Sequence, residues 1–249
     1  MRLERAIGAA MVLTATVVGA QEPRVFANAP PASWIAPPGL ASDTFTVFHA
    51  RRQFDIAAVP ARFAVHVSAD NRYRLYVNGV QVSSGPQRSD VTHWRYETVD
   101  LAPHLRPGRN VLAALIWNWG AARPVAQHSH RTGFVLQGDG PAEAALVNTG
   151  PGWKLLHNRA FVPIVITSAA MRNYYAAAPG DSVDGALHPW GWERADYADD
   201  GWAAVDARRG VVGRAQLYGV ADYGTPDVPW QLTPRTIPPI NVASYSQNS

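Results

Sequence analysis

The stretch that decides the fold is Tyr73-Arg74-Leu75-Tyr76-Val77-Asn78-Gly79-Val80-Gln81-Val82. Apolar and polar side chains begin to alternate with a period of two from Phe45, and this stretch continues the pattern. Asn-Gly between two such runs is the strongest short-range signal for a tight turn between antiparallel strands. The stretch therefore predicts a β-hairpin centred on Asn78-Gly79.

Similar strands are predicted on both sides of this hairpin, with turn residues between them. The clearest turns are Leu105 to Asn110 and Gly138-Asp139-Gly140. The predicted strands are residues 48–56, 62–68, 94–99, 111–119, 133–137, 153–157, 161–167 and 211–220. Many short strands at this spacing predict an all-β protein with an antiparallel β-sandwich or jelly roll. One helical turn is expected within residues 168–178.

Composition supports a β-rich globular protein and excludes several other classes. The 249 residues include 20 Gly, 20 Pro and nine Trp, and only 16% are Asp, Glu, Lys or Arg. Such low charge argues against a coiled coil, a helical bundle and acidic disorder. The lack of cysteine excludes a disulfide framework, a thiol nucleophile and a Cys-ligated zinc. The net charge is +3, but the arginines are scattered and form no stripe, so no nucleic-acid partner is predicted.

Residues 1–20 are predicted to be a secretory signal peptide. Arg2 and Arg5 precede an apolar run from Ala6 to Val18, and Val18-Gly19-Ala20 offers small residues for cleavage. A membrane anchor is the alternative, but the run is shorter than the ~20 apolar residues that a span needs. We therefore expect a secreted or periplasmic bacterial protein, with no membrane association after signal removal.

The mature chain is expected to hold one domain between two extended segments. Residues 21–44 are a Pro/Ala-rich lead-in, from which Trp34-Ile35 is expected to dock onto the domain. The β-sandwich is predicted over residues 45–225. Residues 226–249 form an extended tail whose prolines are typical of a linker, and we expect it to lead toward a missing downstream domain.

A series of motifs follows in a fixed order along the chain. It begins with Leu75-Tyr76-Val77-Asn78-Gly79, Tyr96 to Leu105, Pro107-Gly108-Arg109-Asn110 and Trp117-Asn118-Trp119-Gly120. It ends with Gly152-Trp153, Asp181 to Gly185, Gly191 to Trp202 and Trp230 to Pro239. The series covers about residues 45–240 and resembles the N-terminal region of bacterial α-L-rhamnosidases, a sugar-binding-like sandwich of the galactose-binding-domain type. One departure is Gly201, which stands where that family commonly has Ser.

The resemblance implies an accessory module of an enzyme. In the family, hydrolysis takes place in a large (α/α) barrel, where a general acid and a general base stand roughly 6.5–9.5 Å apart. A barrel of that kind alone takes roughly 250 residues, so this chain cannot hold one beside the sandwich. No catalytic residue or cofactor is carried over, and we expect the chain alone to be inactive.

Two carboxylates are candidates to face a ligand or a neighbouring domain. Asp181 and Asp184 lie in a glycine-bounded loop, although turn formation is the alternative for both. The carboxylates between Glu193 and Asp200 lie among aromatic residues before Gly201-Trp202 and are expected to be turn and cap residues. No oxygen-ligand loop of the kind that binds Ca²⁺ is present in the sequence.

Two histidines form a further candidate. His128-Ser129-His130 places two imidazoles on one side of an extended segment close to Trp119. A metal would need a third ligand, and His93, His157 and His188 are the possible donors. The alternative is a polar loop over the end of the sheet, and no metal site is predicted.

The aromatic residues give the better indication of function. Sugars stack their apolar C–H faces on exposed rings, while Arg, Asp, Asn and Gln bond the hydroxyls. Trp117 and Trp119 are two apart on a strand and so face the same side. Trp117 is expected in the core, as are Trp153 and Trp202, whereas Trp119 is either core or exposed. The candidate carbohydrate-binding residues are Arg88, Asp90, Trp94, Trp119, His128, His130, Asp181, Asp184 and Trp190.

The sequence therefore predicts the non-catalytic N-terminal module of an exported α-L-rhamnosidase-like glycoside hydrolase. Its expected partners are a downstream catalytic domain, which it would brace, and rhamnose-containing glycans. A free-standing lectin-like protein is the first alternative. A small enzyme that uses Asp181 or Asp184 is the second.

Overall fold

The computed structural model describes residues 32–166, 169, 179–206, 209–214, 216–217 and 230–238. The predicted signal peptide lies outside these residues, as do the start of the lead-in, most of the segment 168–178 and the end of the tail. The strands, in chain order, are β1 Ser33–Ile35, β2 Thr46–Ile56, β3 Ala64–Asp70, β4 Arg72–Val77, β5 Val80–Gly85, β6 Trp94–Asp100, β7 Gly108–Asn118, β8 Gly133–Gly138, β9 Lys154–His157, β10 Phe161–Ile164, β11 Gly180–Val183, β12 Ala203–Ala204, β13 Val211–Arg214, β14 Gln216–Leu217 and β15 Gln231–Pro234. One α-helix, α1 Pro141–Val147, lies between β8 and β9.

The described strands form two sheets and one small hairpin. The first sheet has the order β13-β1-β8-β3-β6-β15-β14, and the second has the order β12-β9-β2-β7-β4-β5. All strand pairs are antiparallel except β14 with β15 and β15 with β6, which are parallel. Strands β10 and β11 pair with each other outside both sheets. The predicted all-β architecture, an antiparallel β-sandwich or jelly roll, is confirmed.

The hairpin predicted at Asn78-Gly79 joins β4 to β5. Both turn residues have positive φ, 51° at Asn78 and 88° at Gly79, as the type I′ turn requires. The Asn78 side chain also accepts a hydrogen bond from the Val111 N–H at 3.0 Å. The turn is therefore fastened to β7, and the register of β4 on β7 is held at this end.

The main core lies between the two sheets. Alternate residues of β4, Tyr73, Leu75 and Val77, point inward and are almost fully buried. They meet large side chains of the opposite sheet and of the strand ends, including Phe134 and Trp153. Trp153 is fully buried, as predicted, and its indole N–H donates to the carbonyl oxygens of Val147 and Asn148.

The two ends of the described chain meet on the outer face of the first sheet. Trp34 of β1 and Trp230, just before β15, stack with ring centroids 4.2 Å apart and both rings buried. Arg235 continues this segment and donates a hydrogen bond to the buried Glu97 of β6 at 2.7 Å. Residues 33–35 and 231–234 are thus strands of the sandwich, which reaches beyond the predicted limits of 45 and 225.

The outer face of the second sheet is covered in part by an irregular stretch, the cover segment, residues 184–205. Its Trp192 and Trp202 pack on Val47, Val111 and Leu115. Sandwich proteins usually leave such a face to solvent, so the apolar outward side chains of β2 and β7 need this cover.

One buried arginine holds the cover segment in place. Arg51 of β2 is 1% exposed and donates hydrogen bonds to Asp199 Oδ2 at 3.0 Å and to the carbonyl oxygens of Trp192 and Arg194. Lys154 completes the site with a 2.7 Å contact to Asp199 Oδ1. Burial alone would raise the pKa of Asp199, but the hydrogen bonds from Lys154 and Arg51 outweigh it and lower that pKa. Asp199 is therefore a structural residue, but as the partner of two cations rather than as the turn or cap residue expected for its stretch.

Candidate functional site

The floor of the candidate site is the part of the second sheet that the cover segment leaves open. Arg72 and Arg74 occupy the outward positions of β4, between the inward Tyr73 and Leu75. Arg72 lies opposite Trp117 of β7, and Arg74 lies opposite Ser84 of β5. Directly opposed residues of antiparallel strands share a face, so these side chains project to the same side. The result is an open floor of polar and aromatic groups.

Together with its walls this floor forms a cleft of about 410 Å³, which we call the aromatic cleft. Its lining residues are Arg72, Tyr73, Arg74, Ser84, Gly85, Trp117, Trp119 and Asp181. A volume of this order falls in the range of roughly 300–1,000 Å³ typical of small-molecule sites. Aromatic rings beside arginine and carboxylate groups are the combination expected for sugars.

Trp119 also lines the cleft, and hydrogen bonds to two asparagine side chains fix its backbone. Its N–H donates to Asn71 Oδ1 at 3.0 Å, and the next N–H, of Gly120, donates to Asn118 Oδ1 at 2.8 Å. Gly120 has φ of +53° and lies so close to the Asp43 carbonyl that a Cβ atom would come within 2.1 Å of it. The indole is half-buried, and no described aromatic ring stacks on it. It therefore has surface available for a ligand.

Asp181 also lines the cleft, and it belongs to strand β11 of the β10–β11 hairpin. It pairs with Pro163, and the neighbouring Phe161 meets the Trp117 ring edge-on at a centroid distance of 6.2 Å. The carboxyl group is exposed in the cleft, and partial burial raises its pKa. No described cation forms an ion pair with Asp181, so its oxygens remain available as hydrogen-bond acceptors.

Trp117 does not lie in the sandwich core, which corrects the expectation from the sequence. It is half-buried on the outer face, and the Arg74 guanidinium carbon lies 5.2 Å from the ring centroid. The reason is the register of β7, which turns Leu112, Ala114 and Ile116 inward and the odd-numbered residues outward. Trp117 and Trp119 do face the same cleft, as their spacing predicts.

A buried carboxylate organises the backbone behind Trp119. Asp70 is fully buried and accepts hydrogen bonds from Ser129 Oγ at 2.7 Å, from the His130 N–H at 2.7 Å and from Trp230 Nε1 at 3.1 Å. The Arg131 N–H and the side-chain amides of Asn71 and Asn118 also donate to it. Burial raises the pKa of Asp70 in spite of these bonds. The carboxyl group thus joins β3, the end of β7, the 129–131 loop and the segment before β15.

The structure places the candidates of the 88–94 loop in three different settings. Arg88 is exposed and close enough to Arg72 for their charges to interact. Asp90 accepts hydrogen bonds from the N–H groups of Thr92 and His93, so it caps a turn. The hydrogen bond from the Thr92 hydroxyl is the main cause that lowers the pKa of Asp90 to about 2. Trp94 is 3% exposed within the cluster around Trp230, so it offers no face to a sugar.

The remaining candidates lie away from the cleft lining. His128 is exposed, and His130 is half-buried with its ring against Trp230 at 5.0 Å. Asp184 accepts a hydrogen bond from the Ala186 N–H at 2.9 Å and so stabilises a turn, which was the alternative to a ligand-facing role. Trp190 is 71% exposed and donates its indole N–H to the Gly185 carbonyl. Of the nine candidates, the cleft lining therefore brings together Trp119 and Asp181.

Sequence reasoning missed the two arginines of the floor. The signal was present, because Arg72 and Arg74 alternate with Tyr73 and Leu75 and must leave the sheet on the face opposite the core. Trp202, expected in the core, is 8% exposed and packs from the cover segment onto that same outer face. Among the described residues, no group of three or more His, Asp and Glu residues is placed to hold a metal ion.

The fold and the cleft together define a β-sandwich domain with an aromatic, arginine-rich site on the outer face of one sheet. No protein-family model and no curated protein sequence matches the chain. Within its described part, the chain has no helix that is long and apolar enough to cross a membrane.

Solved structures do match the chain, and α-L-rhamnosidases are among them. The GH78 family rhamnosidase of Bacillus sp. GL1 aligns over 84% of this chain and 20% of its own, with a TM-score of 0.66 and 26% identity. The α-L-rhamnosidases from Dictyoglumus thermophilum and Aspergillus terreus align at 16% identity, with TM-scores of 0.56 and 0.51, over 86% and 70% of this chain. They cover 23% and 21% of those enzymes and support the fold alone. The resemblance predicted from the sequence is confirmed, and the chain spans about a fifth of the length of these enzymes.

Proposed function

We propose that this protein is a non-catalytic N-terminal module of an exported α-L-rhamnosidase-like glycoside hydrolase, which braces the catalytic domain and contacts rhamnose-containing glycans. The observation that carries the proposal is the alignment of 84% of the chain with one fifth of a GH78 rhamnosidase. Most of that enzyme has no counterpart in this chain. Catalysis is therefore assigned to a further domain, and this module is assigned a supporting and binding role.

The bracing role is supported by the way the chain leaves the sandwich. Strand β15 pairs in parallel with β6, and Arg95 donates hydrogen bonds to Thr233 Oγ1 and the Pro234 carbonyl, both at 3.0 Å. Thr236 and Gln87 then exchange hydrogen bonds near 3.0 Å. A segment held in this way gives whatever follows it a fixed starting direction.

The glycan-contacting role is supported by the aromatic cleft. Trp119 offers an indole surface for the apolar face of a pyranose ring, and Asp181 offers acceptors for its hydroxyls. Both residues lie on backbone that is fixed by hydrogen bonds or strand pairing. A site of this kind needs little rearrangement before it binds a sugar.

Isothermal titration of the purified protein with L-rhamnose and rhamnose-containing oligosaccharides tests the glycan role. We expect saturable binding that is lost or weakened at least about tenfold in Trp119→Ala. Trp190→Ala is the matched control, because Trp190 is an exposed indole outside the cleft lining. An equal loss of affinity in both variants, or no binding of any sugar tested, would contradict the proposed glycan-contacting role.

The second candidate function is that of a free-standing carbohydrate-binding protein. It is favoured by one observation, that the cleft brings aromatic, arginine and carboxylate side chains together on this domain. The coding sequence beyond Ser249 separates the two proposals. We expect an in-frame continuation into a long helical domain, whereas a stop codon with no barrel gene nearby would favour the lectin-like protein.

Two further parts of the proposal have direct tests. The chain alone is proposed to be inactive. Turnover of an aryl rhamnoside by this chain, if it is abolished by Asp181→Asn or Asp184→Asn, would overturn this.

Export is proposed from the predicted signal peptide, and mass spectrometry of the secreted protein should find a mature N-terminus at Gln21. A retained Met1 in the periplasm or medium would contradict cleavage at that point.

A further inference from the structure

The charges around the aromatic cleft are predominantly positive. Arg72 and Arg74 project from its floor, and Arg88 lies near enough to act electrostatically on Arg72. No described carboxylate forms an ion pair with any of these three arginines. The negative groups nearby are Asp181, which also lines the cleft, and Glu97, which interacts electrostatically with Arg72.

Glu97 does not neutralise this charge, because it is already committed elsewhere. Its Oε1 accepts hydrogen bonds from Arg235 at 2.7 Å and from the Gln87 N–H at 2.9 Å, and the residue is 5% exposed. The charge of Glu97 is thus balanced by Arg235 within the ion pair. The positive charges of Arg72 and Arg88 remain without a counter-charge.

Arg72 is placed to contact a ligand directly. One guanidinium nitrogen donates to the Pro86 carbonyl, which fixes the direction of the group and leaves its other N–H donors without a described acceptor. The side chain is half-buried, and burial together with the charge of Arg88 lowers its pKa to about 10. Arg72 is therefore charged at neutral pH, incompletely solvated and short of acceptors. A carboxylate satisfies a guanidinium in this state well, since the two match as a bidentate pair.

Arg74 and Trp119 complete the arrangement. The Arg74 guanidinium lies over Trp117, which restrains it at the floor of the cleft. Trp119 supplies the surface for the apolar face of a sugar ring. A ligand with both a pyranose face and a carboxylate would use Trp119 and Arg72 at once, whereas a neutral sugar would leave Arg72 unpaired.

We propose that the aromatic cleft selects acidic saccharides, in which a uronate carboxylate pairs with Arg72 while a sugar ring stacks on Trp119. This inference rests on the proposed glycan-contacting function and names its ligand class. Long-range attraction by Arg74 and Arg88 would add to the association rate at low salt.

The test compares three disaccharides by titration at low and high salt: a rhamnosyl-uronate, its methyl ester and the corresponding neutral rhamnosyl-hexose. We expect the acid to bind at least about tenfold more tightly than its ester at low salt, with the preference reduced as salt increases. Arg72→Gln should reduce the preference to less than about threefold. Arg109→Gln, an exposed arginine near the start of β7 and outside the cleft lining, should leave it unchanged.

Each other outcome decides against the inference in a distinguishable way. Equal binding of acid and ester, or equal weakening of both by Arg72→Gln, overturns the acidic preference and leaves the glycan function standing. No binding of any of the three sugars overturns the glycan function and this inference together. Sodium sulfate that displaces the acid at the same concentration as a uronate monosaccharide would show general anion binding and overturn the selection of sugars.

Discussion

Removing the Arg51 side chain should detach the cover segment from the sandwich. Arg51→Met keeps an unbranched apolar stem in the buried site but removes the charge and every donor that reaches Asp199, Trp192 and Arg194. Removal of one partner of a buried ion pair costs about 3–5 kcal/mol. Asp199 keeps its contact with Lys154, so we expect a loss near the lower limit, about 3 kcal/mol of the free energy of unfolding.

Urea unfolding followed by tryptophan fluorescence and circular dichroism measures this loss. Trp192 and Trp202 are the residues by which the cover segment packs on the sheet, so the variant should show a red-shifted emission before the β-sheet signal changes. Lys154→Met is the matched control, because the Lys154 side chain is 36% exposed and its removal should cost less than about 1 kcal/mol.

A double variant isolates the ion pair from the packing. Arg51→Met with Asp199→Asn should lose about 1 kcal/mol less than the sum of the two single losses, since the second change removes a carboxylate that has already lost one of its two cationic partners. A loss below about 1 kcal/mol for Arg51→Met, with unchanged emission, would refute the idea that Arg51 holds the cover segment. Strict additivity would refute the coupling.

Three further predictions concern other parts of the fold. Burial, followed by the charges of His188 and Arg51, holds the pKa of His49 well below 6.5, so the unfolded chain takes up a proton below that pH and the native state does not. The free energy of unfolding should therefore fall by up to about 1.4 kcal/mol per pH unit below 6.5. Urea midpoints measured from pH 7.5 to 5.5 should depend less on pH in His49→Asn than in the parent. Parallel curves of midpoint against pH for the two proteins would contradict this. Gly120→Ala should lower the free energy of unfolding by about 2 kcal/mol or more, because its Cβ would collide with the Asp43 carbonyl; an unchanged urea midpoint would exclude that collision. Trp34→Ala should lower the free energy of unfolding by about 3–5 kcal/mol, because it empties a buried stacked position. Limited proteolysis should then cut near Trp230 sooner than in the parent. Equal cleavage rates would show that Trp34 does not hold the segment around Trp230 in place.

Strands β2 to β10 were predictable because each has a local signal, whereas β1, β11, β12 and β15 were not predicted as strands. The hairpin turn, the alternation along β4 and the apolar run of β7 specify their elements without reference to the rest of the chain. Helix α1 also has a local signal in the sequence, because Pro141 stands at its first turn and good helix-forming residues follow. The stacking of Trp34 on Trp230 had none, because it joins residues far apart in sequence.

The candidate site was only partly predictable for the same physical reason. Residue type pointed to Trp119 and Asp181, and strand spacing placed Trp117 beside Trp119. The positions of the β10–β11 hairpin and the cover segment on the sheet decide which polar and aromatic residues share one cleft. These positions depend on contacts between residues far apart in sequence. Trp94 shows the limit most clearly, because its buried position depends on packing within the cluster around Trp230.

Strand β4 contributes to the core and to the cleft with alternate residues, and this makes ligand binding a reporter of strand alignment. A slip of one residue would exchange the two faces, bringing Arg72 and Arg74 into the core and Tyr73 and Leu75 into the cleft. A form slipped by one residue therefore loses the two arginines from the cleft floor. Under the proposed glycan-contacting function, retention on an immobilised sugar would separate molecules with the native β4 register from those slipped by one residue.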